Sequence, residues 1–508
     1  MDDRGETSME HLDVIVVGAG ISGISAAVHL ARSCPQKKIA MLERRKNIGG
    51  TWDLFKYPGI RSDSDMHTLG FSFKPWNAQK SIADGPSIMQ YLNETVEEYG
   101  LKEKMRFSHR VVAANWSSAD ALWLLTVDVN GFQKQMSCNF LFMCSGYYSY
   151  DEPHDAAIPD IESFKGFLVH PQFWPESLDY CGKRVVVIGS GATAVTIVPS
   201  MAKDGAKVTM LQRSPTYMVA MPDTDPIANL LRSILPDTWA YALTRFKNIW
   251  LQDFFYKRAR KAPEKVRAQL LRLVKRMLPE DYDVEKHFTP RYNPWDQRLC
   301  LVPNSDLFKA IKNGSVEVVT DEIDTVISDG LKLKSGKKLP ADVLVTATGL
   351  KLSVLADVPF TMDGQAIDFS SAFTYRGMMY SEVPNLVSTF GYINASWTLR
   401  ADLTSEWVCR LLQHMDNVGA DRVIPQLREE DDGMRSLPWI HDFPAGYMRR
   451  AMHLFPKQGS GPWCNTQDFL SDRKMLRKGP IADGALVFSS SKNDEVEFKD
   501  PKRTVSAG

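Results

Sequence analysis

Two glycine-rich loops, each lying between an apolar strand pattern and a helical pattern, constrain the fold of this chain more than any other feature. The first loop follows the run LDVIVV and carries Gly18, Gly20 and Gly23 in G-x-G-x-x-G spacing. A second apolar run, KIAML, comes next and ends close to Glu43. Strand, glycine turn, helix, strand and acid, in this order, are typical of a dinucleotide-binding βαβ unit in which the acid binds ribose hydroxyls. The sequence therefore predicts a first nucleotide site that suits FAD or NAD.

The second loop repeats this order in the run KRVVVIGSGATAVTIVPSMA, with Ala194 in place of the third glycine. The strand pattern after it, KVTMLQRSP, brings Arg213 and Ser214 to the position where the first loop has its acid. A cation and a hydroxyl suit a 2′-phosphate, so this loop favours NADPH, with an ordinary surface ion pair as the alternative for Arg213. The residues expected to bind NADPH are Gly189, Gly191, Ala192, Thr193, Ala194, Arg213 and Ser214.

Bulk composition excludes several other classes of protein. Lys and Arg together number 61, as do Asp and Glu, so no net charge attracts nucleic acid. The seven cysteines are scattered and form no C-x-x-C pair, which favours a reducing, cytoplasmic location. The acidic N-terminus lacks the pattern of a secretory signal, and no apolar run approaches the ~18 residues of a membrane-spanning helix. No metal site is expected.

A chain of 508 residues is long enough for two or three domains. We predict an α/β fold with two Rossmann-like dinucleotide-binding domains, one for FAD and one for NADPH, and a helical insert in the NADPH domain. The predicted parts are residues 1–150 and 346–508 for the FAD domain with the C-terminal segment, 151–225 and 298–345 for the NADPH domain, and 226–297 for the insert.

The insert is both basic and aromatic. Its segment 226–280 has a helical pattern, and from Arg245 to Arg276 it holds 11 Lys or Arg against two acids, with Phe, Trp and Tyr among them. Such a helix can lie on an anionic membrane, which predicts a peripheral membrane contact. The alternatives are a solvated basic face with the aromatic side chains in the core, and self-association. The oligomeric state stays open.

One further motif lies between the two loops. Residues 164–176, FKGFLVHPQFWPE, have the spacing F-x-G-x-x-x-H-x-x-x-W-P, which is formed by Phe164, Gly166, His170, Trp174 and Pro175. With the two loops, this motif resembles the class B flavoprotein monooxygenases and, within them, the fingerprint of the Baeyer–Villiger monooxygenases. The stretches GGTWDLFKYPGIRSDSDM, CSGYYSYDE, DVLVTATG and GYINASWTLRADL resemble the ethionamide-activating subgroup, so the resemblance covers nearly the whole chain.

The resemblance implies a chemistry. FAD reduced by NADPH would react with O2 to a flavin C4a-peroxide, which inserts oxygen beside a ketone carbonyl and gives an ester or lactone. The protonated peroxide would oxidise thioethers, so the expected substrates are small-molecule ketones or thioethers. The alternatives are a class B N- or S-oxygenating enzyme without useful ketone activity, a disulfide reductase, which the absence of a cysteine pair disfavours, and a non-enzymatic NADPH sensor.

The resemblance also implies site residues. It places the arginine that stabilises developing negative charge at Arg298, within PWDQRLCLVPNSDLF, with Arg291 a weaker candidate. The alternative is a structural ion pair of Arg298 with Asp296 or Asp306. The carboxylate partner of the arginine is expected at Asp63, although Asp65 is close by.

Three further features follow from the resemblance. Gly50, Thr51 and Trp52 resemble a loop that packs against the flavin. The position before the arginine, a phosphate-binding Lys in related enzymes, is Gln297, which leaves more of the 2′-phosphate contact to Arg213. The fingerprint would act as a hinge in which His170 reorganises hydrogen bonds, with simple packing of His170 and Trp174 as the alternative. Trp397 is a candidate for the substrate pocket.

Overall fold

The structure is a computed structural model that describes residues 9–441, 443 and 445–491. Its strands, numbered along the chain, are β1 (Glu10–Val17), β2 (Ile39–Leu42), β3 (Met105–Arg106), β4 (His109–Ser117), β5 (Leu122–Val129), β6 (Phe132–Met143), β7 (Tyr148–Pro153), β8 (Phe167–Val169), β9 (Arg184–Ile188), β10 (Lys207–Gln212), β11 (Met218–Met221), β12 (Cys300–Pro303), β13 (Val316–Thr320), β14 (Ile323–Ile327), β15 (Gly330–Leu333), β16 (Lys338–Pro340), β17 (Val343–Thr346), β18 (Leu350–Leu352), β19 (Phe360–Met362), β20 (Gln365–Ala366), β21 (Thr374–Tyr375), β22 (Met379–Tyr380), β23 (Leu386–Ser388), β24 (Arg422–Pro425), β25 (Leu437–Pro438), β26 (Lys457–Gln458) and β27 (Leu486–Ser489).

The helices are α1 (Ile21–Ser33), α2 (Thr51–Leu54), α3 (Met66–Leu69), α4 (Gly85–Glu98), α5 (Ala192–Lys203), α6 (Pro226–Ile234), α7 (Asp237–Lys261), α8 (Pro263–Met277), α9 (Val284–Phe288), α10 (Asp306–Lys312), α11 (Trp397–Val418), α12 (Gly446–Ala451) and α13 (Phe469–Lys478). Short 3-10 helices span Lys102–Lys104, Ile161–Ser163, Pro171–Phe173, Leu355–Asp357, Glu429–Asp431, Met452–Leu454 and Gly461–Trp463.

The larger sheet contains the first glycine loop. Its strand order is β20-β19-β4-β5-β6-β1-β2-β3, with β23 also paired to β6. Strand β1 runs parallel to both β2 and β6, and its last five residues, from Asp13 onward, include four buried aliphatic side chains. Such continuous burial is expected of a parallel strand that is covered on both faces. Helices α1 and α11 pack on one face, where Ile24 and Val28 of α1 meet Trp407 of α11 in one core.

The second glycine loop belongs to a separate parallel sheet. Its order is β13-β10-β9-β17-β8, and every pairing in it is parallel. Helix α5 connects β9 to β10 and buries Ala194, Val195 and Val198 against the sheet. A meander of β14, β15 and β16 leads from β13 back to β17. Both glycine loops therefore lie where a parallel strand enters a helix, which is the arrangement expected of a Rossmann-like unit.

Helices α6 to α9 form the insert, which leaves the second unit after β11 and returns at β12, the parallel partner of β11. On α7, Tyr241 and Arg245 face inward, and Arg245 Nη1 donates to the carbonyls of His67 (2.9 Å) and Gly70 (2.7 Å) at the end of α3. The alternative that places the aromatic side chains of this helix in the core is therefore wrong for Phe246 and Trp250, which are exposed. The inward face instead combines small and polar side chains, of which Arg245 satisfies backbone carbonyls of α3.

The predicted α/β fold with two Rossmann-like units is confirmed. The predicted domain boundaries stay predictions; β7 spans the expected boundary after residue 150 and pairs with β18, so two chain crossings lie side by side there. All seven cysteines are free. In the part of the chain that the structure describes, no cluster of His, Cys, Asp or Glu is arranged to hold a metal ion. None of the described helices combines the length and the apolar character needed to cross a membrane.

Candidate functional site

The first glycine loop joins β1 to α1 at the carboxyl end of the parallel strands. Gly18 has a φ of +103°, and a Cβ at this position would lie 2.6 Å from the carbonyl oxygen of Cys144. A Cβ at Gly23 would overlap the carbonyl oxygen of Gly18. Gly20 is the N-cap of α1, where unpaired helical N–H groups begin. Glycine is therefore required by sterics at Gly18 and Gly23, and the helix start offers a site for an anion.

Glu43 follows β2 and closes this loop. Its side chain is buried, and its two oxygens accept hydrogen bonds from the backbone N–H groups of Ala19 and Arg45, both at 2.8 Å. Burial raises the pKa of Glu43, although these two backbone donors oppose the shift. A carboxylate has about four acceptor positions, so Glu43 can hold the loop and still accept from a ribose hydroxyl.

The segment that contains Gly50, Thr51 and Trp52 forms the opposite wall. Gly50 has a φ of +54°, and a Cβ here would lie 3.1 Å from the Cα of Gly20. The Thr51 hydroxyl lies 2.6 Å from that of Tyr148, and Trp52 packs against the first core. The backbones of Gly20 and Gly50 lie close to van der Waals contact, and both glycines line the cavity. Because neither carries a side chain, a pyrophosphate in the cavity can approach their backbones.

A cavity of about 430 Å³ joins the two halves of the site. Its lining includes Gly20 and Glu43 from the first unit and Ala192 and Thr193 from the second. The predicted pair Asp63 and Arg298 also lines it, as do Gly50, Thr51, Trp52 and Trp397. Residues that the sequence places in different parts of the chain therefore border one cavity.

The second glycine loop is more open than the first. Gly189 has a φ of +137°, and its neighbour in space is the carbonyl oxygen of Ala347, within the stretch DVLVTATG. Gly191 is the N-cap of α5, and a Cβ there would have no atom within 4 Å. Ala194 is fully buried, so the third position tolerates a methyl group. Free space at Gly191 leaves the start of α5 accessible to a phosphate.

Arg213 and Ser214 follow β10, and both are exposed. Among the described residues Arg213 has no carboxylate within 4 Å, although its charge helps to lower the pKa of Glu322. The Ser190 hydroxyl donates to the Ser214 carbonyl (3.2 Å), which leaves the Ser214 hydroxyl outside that contact. Gln297 is half-buried and forms an isolated bridge with Pro294. The cation at Arg213 is thus available to a 2′-phosphate.

Arg298 and Asp63, separated by 235 positions, form an ion pair beside the cavity. Arg298 Nη1 donates to Asp63 Oδ2 at 3.1 Å, and both side chains keep part of their surface exposed. Desolvation would lower the pKa of Arg298, but Asp63, together with the nearby Tyr147 and Tyr447, outweighs it and raises the pKa above its usual value. Arg298 Nε is buried and has no hydrogen-bond partner among the described residues. A fixed cation with an unused donor therefore adjoins the cavity.

The alternatives for this pair have other partners. Asp296 accepts from Arg260 Nη1 (2.8 Å), and Asp306 pairs with Arg61, so neither binds Arg298. Asp65 caps α3 by accepting from the Thr68 backbone N–H (3.1 Å). Arg291 is exposed and does not line the cavity. The geometry thus favours Asp63 over Asp65 and Arg298 over Arg291 as the pair beside the cavity.

Arg298 also contacts the segment that contains Tyr392. Arg298 Nη2 lies 3.5 Å from the Tyr392 carbonyl oxygen, and the Tyr392 hydroxyl donates to Asp472 Oδ2 (2.8 Å). Asp472 is buried and paired with Arg400. The C-terminal helix α13, which carries Asp472, therefore supports the loop against which the arginine rests.

The fingerprint lies outside the cavity. Gly166 packs against the Asp342 carbonyl, and Val169 of β8 pairs with Val345 of β17. His170 Nδ1 accepts from the Gln172 backbone N–H (3.2 Å), while its buried Nε2 finds no partner in the described residues. Burial lowers the pKa of His170, and the backbone of Gly349 opposes this shift. His170 thus touches the strand connection between the two units.

The other fingerprint residues form packing and turn contacts outside the cavity. Phe164 is buried beneath β9 and β17, and Trp174 lies edge-on to Tyr180 with ring centroids 6.3 Å apart. Pro175 begins a turn, because its carbonyl accepts from the Leu178 N–H (3.2 Å). These contacts favour the packing alternative for Trp174, and the hinge role of the fingerprint stays a prediction.

Several aromatic residues of the site had no role assigned from the sequence. Tyr147 stacks on Trp397 with ring centroids 5.1 Å apart, and Trp397 Nε1 donates to the Ser22 hydroxyl (2.6 Å). Burial raises the pKa of Tyr57 to about 12, and the nearby Thr193 hydroxyl opposes the shift. Tyr57 thus packs between the first wall and the second glycine loop. The signal was present in CSGYYSYDE, where three tyrosines follow the end of a buried strand.

The chain is similar to known proteins over most of its length. Residues 11–432 match the family of flavin-binding monooxygenase-like (FMO-like) proteins. The chain is 52% identical over 482 residues to the FAD-containing monooxygenase EthA of Mycobacterium tuberculosis, covering 94% of this chain and 98% of that one. It is 49% identical over 504 residues to the probable FAD-binding monooxygenase AlmA of Acinetobacter baylyi, covering 98% and 100%.

Solved structures share the fold at lower identity. An oxidised steroid monooxygenase bound to NADP superposes with a TM-score of 0.75 at 19% identity, covering 95% of this chain and 100% of that one. An open form of cyclohexanone monooxygenase gives a TM-score of 0.73 at 19% identity, with the same coverage. These similarities extend across both units and the cavity between them.

Proposed function

The chain belongs to the flavin-binding monooxygenase-like family, and from this premise we propose that it inserts one oxygen atom of O2 beside a ketone carbonyl, a Baeyer–Villiger oxidation. It is a class B FAD-containing monooxygenase that uses NADPH and O2. The products would be esters or lactones, with thioether sulfoxidation as a side activity. The observation that carries the proposal is the pair of Asp63 and Arg298 beside a cavity that both glycine loops border.

The residues around the first loop suit FAD. Gly20 and Gly50 border the cavity without side chains, and Glu43 keeps acceptor positions beside them. Gly191 and Arg213 suit the pyrophosphate and 2′-phosphate of NADPH. When bound, the flavin supplies the redox chemistry by accepting a hydride from NADPH and activating O2. The contribution of the chain is to bind, orient and shield these partners.

Arg298 supplies a permanent positive charge where negative charge develops on a ketone oxygen. A preorganised cation stabilises such charge without having to reorganise during the reaction. Asp63 holds the guanidinium through one hydrogen bond and leaves Nε free. An arginine suits this role better than a lysine because it stays protonated and presents several donors in one plane.

A class B N- or S-oxygenating enzyme is the second candidate function. It is supported by the relatives EthA and AlmA, whose names state a FAD-dependent monooxygenase and no ketone substrate. Oxygen transfer to sulfur or nitrogen develops no carbonyl oxyanion, so this reaction depends less on Arg298.

Product identification by mass spectrometry separates the two. The holoenzyme receives NADPH, air, a linear long-chain 2-ketone and a phenyl thioether, and Arg298→Ala is compared with Arg291→Ala as the matched control. We expect an ester from the ketone, with kcat reduced about 10²- to 10³-fold in Arg298→Ala and unchanged in Arg291→Ala. Sulfoxide without ester would support the second candidate. Ester formation that survives Arg298→Ala would remove this arginine from the mechanism.

A further inference from the structure

Helix α7 carries an apolar stripe that faces solvent. Trp239, Leu243, Phe246, Trp250 and Phe254 follow one another at intervals of three or four residues, so they lie on one face of the helix. Their exposed fractions range from 44% for Phe254 to 67% for Trp239. With a rise of 1.5 Å per residue, this α7 stripe is about 22 Å long. A continuous exposed row of large apolar side chains marks an interaction surface.

The neighbouring helix α6 adds to this surface. Ile227, Leu230 and Ile234 recur at helical spacing and are exposed by 53%, 61% and 66%. Helix α6 is joined to α7 by two residues, and Lys247 Nζ of α7 reaches Asp225 Oδ2 at the start of α6 (2.6 Å). The two helices are thus held together with apolar side chains outward.

The opposite face of α7 is fixed to the protein. Ala240 and Tyr241 are buried, and Arg245 binds carbonyls at the end of α3. Asn248 Nδ2 donates to Asp65 Oδ1 (2.9 Å). Gln252, on this same face, lines the cavity. Rotation of the helix to hide the stripe would break these contacts, so the stripe must be covered from outside.

The charged residues next to the α7 stripe indicate which kind of partner covers this stripe. At helical spacing the α7 stripe continues into Lys257 and Lys261, so one face is aromatic and then cationic. Of the exposed cations on α7 and α8, Lys257 pairs with Asp253 and Asp468, and Arg260 pairs with Asp296. The exposed cations that form no ion pair with a described residue are Arg258, Lys261, Lys265, Arg272, Lys275 and Arg276. Trp and Phe beside Lys and Arg are typical of helices that lie in a membrane interface plane, with the cations at anionic headgroups. The core of a protein–protein interface is, in contrast, depleted in Lys.

We propose that the α6–α7 surface docks on an anionic lipid bilayer, with the α7 stripe in the interface and the cations of α7 and α8 on the headgroups. This inference goes beyond the proposed function, because docking requires no turnover. One consequence does rest on the proposed function: an apolar substrate dissolved in the bilayer would reach the cavity along α7, since Gln252 borders the cavity on the other side of this helix.

Vesicle co-sedimentation of the holoenzyme without NADPH tests the docking. We expect binding to vesicles that contain phosphatidylglycerol, weakened by salt, and little binding to pure phosphatidylcholine. Phe246→Glu/Trp250→Glu should lower the partition onto anionic vesicles about tenfold or more. The matched control is Phe132→Glu, an aromatic residue exposed by 79% on the β5–β6 hairpin, which should bind as the parent does.

A second pair of variants tests the cations. Arg258→Glu/Lys261→Glu should weaken anionic binding several-fold and leave binding to neutral vesicles unchanged, whereas Lys309→Glu/Lys312→Glu on the exposed side of α10 should change neither. Retained flavin absorbance shows that each variant is folded. Three results would overturn the proposal: no binding to anionic vesicles, equal loss in Phe132→Glu, or a stable dimer in sedimentation velocity that Phe246→Glu/Trp250→Glu dissociates. Activity on a short, water-soluble ketone is measured separately, so a failure of the proposed reaction is distinguishable from a failure of docking.

Discussion

The two nucleotide loops of this chain share a spacing and differ in what surrounds them. The first loop packs against Cys144, faces Gly50 and is closed by a buried Glu43. The second has free space at Gly191 and ends in an exposed Arg213. Helix starts and parallel strands are common to both, so each can hold a pyrophosphate.

We expect this difference to separate a retained cofactor at the first loop from an exchanging one at the second. A dinucleotide at the first loop would lie along the backbones of Gly20 and Gly50, beside the buried Glu43. A dinucleotide at Gly191 meets an accessible helix start and an exposed cation, which suits a coenzyme that enters and leaves in every cycle. Because both loops share the glycine motif, we attribute the expected difference in cofactor dissociation to the elements around each loop.

The largest expected effect is at the third glycine position. Gly23→Ala would drive a methyl group into the Gly18 carbonyl, so we expect a loss of about 3 kcal/mol or more of stability and a colourless protein. The matched change in the second loop, Ala194→Gly, should cost about 1 kcal/mol, as for any glycine in a helix. Flavin absorbance and thermal unfolding measure both. A yellow Gly23→Ala protein with parental thermal stability would show that the first loop is not the tighter one.

An effect of intermediate size is expected on the pH dependence of stability, through Asp402. Asp402 of α11 accepts from Ser25 of α1 (2.7 Å) and from the Ser72 N–H (2.8 Å), and it pairs with His29. Burial alone would raise the pKa of Asp402, but His29, the nearby Arg245 and the Ser25 hydroxyl lower it to about 2. A depressed carboxyl pKa contributes stability that is complete above the unfolded value of 3.8 and is lost as pH falls toward 2. The shift corresponds to about 2 kcal/mol.

Asp402→Asn should therefore be less stable than the parent near neutral pH, and this difference should shrink below pH 3.8. Urea unfolding followed by tryptophan fluorescence over a pH series measures it. In the second unit, Asp342, which pairs with Arg184 (2.6 Å), also has its pKa lowered to about 2, but that pair is exposed. Asp342→Asn should have a smaller effect that added salt removes. The two variants could instead lose equal amounts of unfolding free energy, independently of salt. That result would contradict the difference between a buried ion pair in the first unit and an exposed one in the second.

The smallest expected effect concerns coenzyme choice. Arg213→Ala should raise the KM for NADPH about tenfold, or about 1.4 kcal/mol, and leave the KM for NADH unchanged, because only NADPH carries the 2′-phosphate. Lys207→Ala, at the exposed start of β10, is the control and should change neither value. A parallel rise for both coenzymes would assign Arg213 a structural role instead.

Sequence patterns predict this structure best where the interacting residues are close together in the chain. Both βαβ units and the residues after their second strands follow from patterns within about 30 residues, because strand, turn and helix periods are short. The insert shows the limit of such patterns. Helical spacing identified a face with Phe246 and Trp250 but could not tell that the core lies on the other side, where Arg245 binds carbonyls more than 170 positions away in the chain.

The sequence by itself determined the fold class, the two glycine-rich βαβ loops and the acid-versus-base distinction between Glu43 and Arg213, because each is encoded by neighbours along the chain. The resemblance indicates Asp63 as the partner of Arg298 and leaves Asp65 open, and the tertiary structure decided that Asp63 forms the pair while Asp65 caps α3. The tertiary structure alone decided that Tyr147 stacks on Trp397. It also decided that α7 presents its apolar stripe outward. These contacts join distant positions, and their energies depend on burial and partner geometry, which no periodicity within a single element encodes.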